Sequence, residues 1–174
     1  MDFRDVQEFF RDTFKYLIVI VIVLLVALYV VSFQQIVGNS MNNNYYNNDV
    51  VILNKLQYKF FDVKRSDIVS FNYDDTKYLI KRVVGLPGEF IEFKDNTLYI
   101  NNKAYKENYI TEFITKDFSL KDLGYDKIPE NMYLVLGDNR EDSLDSRKIG
   151  LIKEKDLIGK CIMRIWPLNK FKVM

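Results

Sequence analysis

The chain has 174 residues, 25 basic and 24 acidic, for a formal net charge of +1, with one cysteine and no histidine. Without histidine there is no Ser-His-Asp or Cys-His machinery and no His-ligated metal, and a lone Cys161 permits neither an intramolecular disulfide nor a thiolate-rich zinc site. A near-neutral charge argues against a nucleic-acid binder, and with no histidine acid–base chemistry falls to Lys, Asp, Glu or Tyr.

Residues 1–15 read as a juxtamembrane segment, with Phe3, Val6, Phe10 and Phe14 on one helical stripe. From Tyr16 to Phe33 no residue is charged and one is Ser, a run that spans about 27 Å as a helix, close to a bilayer core. A transmembrane helix is expected over 16–34. A cleavable secretory signal is the other option, but the run is longer than such cores and no A-x-A-like site follows it. Arg4, Arg11 and Lys15 precede the span and the next basic residue is Lys55, which predicts a single pass through the cell membrane with a cytoplasmic N-terminus.

Residues 35–174 are enough for one extracytoplasmic domain. Asn39–Asn48 holds six Asn in ten residues and reads as a loop of turns. Strands are expected at Asp49–Leu56, Asp67–Tyr73, Tyr78–Val84, Phe90–Lys94, Thr97–Ile100, Tyr133–Leu136 and Leu157–Trp166, from their branched and aromatic content. Turns fall at Asp95-Asn96 and Asn101-Asn102, and 105–128 reads as a polar excursion with a short helix. The pattern predicts an all-β domain of mainly antiparallel sheets behind one N-terminal helix.

Four segments carry the chemistry: Val37-Gly38-Asn39-Ser40-Met41 leading to Asp49; Arg65-Ser66-Asp67-Ile68-Val69; Lys81-Arg82-Val83-Val84-Gly85-Leu86-Pro87-Gly88-Glu89; and Gly137-Asp138-Asn139-Arg140 followed by Ser143, Asp145, Ser146 and Arg147. A serine hydroxyl needs a base to take its proton, and a lysine can serve if its amine is neutral. Strand alternation places Lys81 between Leu79 and Val83, an apolar face that disfavours the ammonium. Taken alone, Lys81 could equally be an edge lysine with a solvated tip, Ser40 one more polar loop residue, and Gly-Asp-Asn an ordinary turn.

Content and order of the four segments resemble the conserved boxes of bacterial type I signal peptidases, membrane-bound Ser/Lys endopeptidases that remove signal peptides from exported preproteins. Arg164-Ile165-Trp166-Pro167 resembles the C-terminal segment of the Gram-positive, single-span form. The resemblance implies Ser40 as nucleophile and Lys81 as general base. It implies that Ser143 orients the lysine amine, that Asp145 and Arg147 brace that loop, and that Asp138 fills the matching acidic position. It further implies the Ser40 backbone N–H as an oxyanion donor, with a backbone amide near Gly38 or a water as the second. Substrate would bind as an extended strand beside the one carrying Lys81, with Met41 and Ile80 on the pocket walls. The implied partners are preprotein signal peptides and membrane lipid, with no cofactor, no metal and no nucleic acid.

The chain departs from the family where Ser-Met-x-Pro-Thr-Leu-x-x-Gly-Asp becomes Ser40-Met41-Asn42-Asn43-Asn44-Tyr45-Tyr46-Asn47-Asn48-Asp49. Asn48 is expected to take the left-handed backbone of the missing Gly, and Tyr45 to narrow or reshape a substrate pocket. Two further readings stay open: a degenerate relative that binds exported chains without cutting, and a self-cleaving Ser/Lys regulator of the SOS-repressor type, which the anchor opposes. A calcium loop lacks its ligand spacing, and no Ser has Lys three residues on, as β-lactamase-type enzymes require.

Overall fold

The computed structural model describes residues 3–74, 76–110 and 114–173. Helix α1 (Phe3–Val30) is continuous, and the most apolar 18-residue window of its Val6–Val30 stretch has mean hydropathy 2.6 with none of that window buried against the protein. It is long and apolar enough to cross a membrane. The helix begins well before Tyr16 and stops short of 34, because Val31–Gln35 leaves it as strand β1 and pairs with β2 (Val50–Asn54), Val31 opposite Asn54. Residues 31–34 of the expected span therefore belong to the β domain; β-branched and aromatic residues satisfy either environment, and the β2 ladder decides.

After the one-turn helix α2 (Gln57–Phe60) come β3 (Ile68–Asn72), β4 (Tyr78–Gly85), β5 (Ile91–Lys94), β6 (Thr97–Ile100) and β7 (Lys103–Tyr105). The expected excursion 105–128 yields a two-residue strand β8 (Phe118–Ser119) and a short 3-10 helix over Leu120–Leu123. That turn starts in a capping box, Ser119 and Asp122 satisfying each other's backbone N–H groups. Residues 111–113 of the excursion lie outside the described ones. Then follow β9 (Met132–Leu136), α3 (Ser146–Ile149), β10 (Ile152–Lys153), β11 (Leu157–Trp166) and β12 (Lys172–Val173).

All strand pairs are antiparallel. The larger sheet runs β1-β2-β11-β3-β4-β9-β10, with β12 on β11, and the smaller runs β7-β6-β5-β8. Three apolar clusters fill the domain. One joins Ile36, Met41, Tyr45, Val51, Leu53, Ile68, Ile80 and Cys161. A second holds Val69, Phe71, Val83, Tyr133 and Val135. The third seats the smaller sheet on β4 and β9 through Val84, Ile91, Phe93, Leu98, Leu134 and Leu136. Strand β4 borders all three, so its central residues are buried on both faces.

Candidate active site

The Asn-rich loop after β1 is held by its own side chains. Gly38 N–H donates to Asn47 Oδ1 at 2.9 Å, Gln35 Nε2 to Asn48 Oδ1 at 3.2 Å, and Asn48 sits at φ +71°, the left-handed backbone expected of it. Met41 is fully buried, and sinking such a side chain is worth roughly 1.5–3 kcal/mol, which pins the residue after Ser40 into the core. The segment from Gly137 clasps the loop from the other side: Asn139 N–H donates to Ser40 O at 3.0 Å and its Nδ2 to Asn39 O at 3.3 Å. Gly137 makes this approach possible, since a Cβ there would collide with Ser143 Oγ and Ser40 O.

Lys81 projects from the middle of β4 and is only 2% exposed. Its Nζ lies 2.8 Å from Ser40 Oγ and 2.9 Å from Ile80 O. Burial pulls its pKa from 10.5 down to about 8, against the opposing pull of the Asp145 and Asp138 carboxylates. At pH 7 about a tenth of the amine is then neutral, and at pH 9 about nine-tenths.

Around this pair sit two buried ion pairs. Asp138 takes Arg82 in a bidentate grip (Nε 2.8 Å, Nη2 2.6 Å) and accepts Asn44 Nδ2 at 2.9 Å. Although burial disfavours its charge, Asp138 keeps the Arg82 pKa above its ordinary value. Asp145 grips Arg147 (Nε 2.9 Å, Nη2 2.7 Å), caps the start of α3, and accepts Gly137 N–H at 3.1 Å. Burial pushes Asp145 up, but Arg147, the nearby Ser143 hydroxyl and the Gly137 amide outweigh it and hold its pKa below the usual range.

A cleft of about 600 Å³ opens onto Ser40 and Lys81, walled by Gln35–Met41 on one side, Tyr78–Lys81 on the other, and Asp142 and Leu144 at the end. Met41 and Ile80 border it from the buried side. Strand β9 pairs with β4 only from Arg82 onward, so the edge of Tyr78–Lys81 facing away from β3 is unpaired and open to an incoming strand.

Three expectations change. Ser143 is buried beside Asp145 and makes no hydrogen bond to Lys81, whose amine turns to Ser40 and Ile80 O instead. Gly38 N–H is occupied by Asn47 and is no spare oxyanion donor, whereas Ser40 N–H makes no hydrogen bond among the described residues. Tyr45 does not narrow the cleft: it packs into the core behind the loop and borders a separate pocket with Cys161 and Tyr109. Sequence reasoning quoted Arg82, Asn139 and Arg164 without giving them roles. Arg164 ties the far end of the loop, donating to Asn44 O and Asp49 Oδ2, each at 2.9 Å. No group of three or more His, Cys, Asp or Glu able to hold a metal occurs among the described residues.

Signal peptidase I V of Bacillus subtilis (strain 168) is 45% identical over 118 residues, covering 63% of this chain and 70% of its own. Signal peptidase IB of Staphylococcus aureus (strain Mu50 / ATCC 700699) is 39% identical over 135 residues, 70% of this chain and 71% of its own. A crystal structure of a signal peptidase I from Enterococcus faecalis V583 superposes with TM-score 0.52 at 37% identity, over 57% of this chain and 96% of that one. The family model described as signal peptidase, peptidase S26, matches residues 10–166, and the chain belongs to that family of hydrolases.

Proposed function

We propose that this protein is a membrane-anchored serine endopeptidase that cuts signal peptides from exported preproteins, with Ser40 as nucleophile and neutral Lys81 as general base. The observation that carries the reading is the 2.8 Å approach of a desolvated amine to a serine hydroxyl at the floor of an open cleft.

The preprotein lies extended along the free edge of Tyr78–Lys81, its scissile carbonyl carbon in front of Ser40 Oγ. When the amine is neutral, the hydroxyl donates to Nζ. Attack forms the Oγ–C bond as the Ser40 proton passes to Lys81, and the oxyanion takes the unused Ser40 N–H. The ammonium then returns that proton to the departing amine as the C–N bond breaks, leaving an acyl-serine. Water, deprotonated by the same amine, releases the signal peptide and restores Ser40. The basic residues before the span favour a cytoplasmic N-terminus, which puts the cleft on the exported side.

Full-length enzyme in detergent should cut a preprotein after a small residue. Ser40→Ala and Lys81→Ala should each lower that rate by at least about a thousandfold with the β domain still folded by circular dichroism. Robust cleavage by Lys81→Ala would overturn the assignment of the base.

A further inference from the structure

The C-terminal end of α1 lacks the usual means of ending a helix. No basic residue lies in its last turn and no glycine follows it. Two of its final carbonyls are instead taken by the residue just past the end of β2: Lys55 N–H donates to Val30 O at 2.9 Å, and Lys55 Nζ to Leu28 O at 3.1 Å. The same ammonium stands 5.9 Å from the Tyr29 ring centre. From α2, Lys59 Nζ stands 5.5 Å from that ring and 3.3 Å from Tyr29 Oη. No flexible linker separates helix from domain, since Val31 opens β1 directly and pairs with Asn54 beside Lys55.

We propose that Lys55 and Lys59 form a clamp on Tyr29 and the end of α1 that fixes the height and tilt of the cleft over the membrane, and so sets how far a substrate's scissile bond must lie from its own apolar segment. This rests on the signal-peptide reading above. The physical chain is short. Strand β1 carries the chain roughly 17 Å from the helix end toward Gln35–Met41, which wall the cleft. A helix free to swivel at Val30 would let Ser40 sample a range of heights. A helix capped by Lys55 holds one. Lys55 and Lys59 touch neither the cleft nor Lys81, so they act only through this geometry.

The test uses full-length enzyme in phosphatidylethanolamine–phosphatidylglycerol vesicles. One substrate set consists of preproteins that differ only by residues inserted or removed between the apolar run and the cut. The other is a short soluble peptide carrying the cut site alone. Wild type should show a sharp optimum of spacing. Lys55→Met with Lys59→Met should flatten or shift it, lowering the ratio of best to two-residue-displaced rate by at least about threefold, with short-peptide cleavage unchanged. Lys55→Arg should restore the optimum, and two glycines inserted between Val30 and Val31 should reproduce the flattening with both lysines intact. A spacing profile unchanged in both the double variant and the glycine insertion overturns the clamp, as does an equal loss on the short peptide. Cleavage of no preprotein and no peptide by wild type would instead overturn the functional assignment on which the clamp depends.

Discussion

Lys81 and Arg82 are neighbours on β4, both buried, and face opposite sides of the strand with opposite fates. Arg82 finds a carboxylate that matches its fork, stacks 4.2 Å over the Tyr109 ring, and stays charged. Lys81 finds a hydroxyl and a carbonyl, with the nearest carboxylates already engaged by Arg82 and Arg147, and its amine loses protons near pH 8. The contrast teaches that burial alone does not make a base. Burial lowers the Lys81 pKa, and the carboxylates of Asp138 and Asp145, each gripped by an arginine, offset that only in part, whereas Arg82 holds its carboxylate directly.

The comparison can be broken most severely by giving position 81 the chemistry of position 82. In Lys81→Arg the guanidinium cannot release its proton, so preprotein cleavage should fall at least about a thousandfold at every pH tested. Asp138→Asn attacks the other side. It strands a buried guanidinium, and chemical denaturation should show a loss of about 3–5 kcal/mol.

Titration sharpens the contrast without breaking it. The rate of cleavage should rise with pH and level off above about 8, as the amine deprotonates. Because the folded pKa lies below the unfolded value of 10.5, the unfolded chain holds the extra proton between about pH 8 and 10.5. This group's cost to the fold is thus fully present below pH 8 and is relieved as pH climbs through that window. Lys81→Met should therefore unfold at a higher temperature than wild type at pH 7, by a margin that shrinks toward pH 10. The smallest effect belongs to Asn44→Ala, which removes bonds to Asp138 and to Tyr109 O and should cost about 1 kcal/mol with a modest loss of rate.

Much of this was legible beforehand. The strands from Val50 to Ile100 and from Leu157 to Trp166 follow β-branched runs that no competing signal disturbs, so their ends fall within two residues of expectation. β1 was not legible, because Val31-Ser32-Phe33 continues the apolar run of α1 and only its distant partner β2 separates the two. The pairing of Ser40 with Lys81 and the Lys81–Ser143 bond both came from the resemblance of the four segments; the structure brings the first two together and does not form the second bond. The roles of Asn139, Asn44 and Asn47 were hidden for a general reason. An asparagine in a loop advertises a turn, and which backbone group its amide serves depends on chain segments up to 100 residues away.

The bare Cα of Gly137 has a consequence for how this enzyme could be switched off. The loops bearing Ser40 and Ser143 meet there across a seam with no room for even a methyl group. A side chain at that position acts as a wedge, prying the nucleophile away from its amine while leaving every reacting group chemically intact. Graded replacements, Gly137→Ala and then Gly137→Val, should dial the rate of preprotein cleavage down in order of side-chain size.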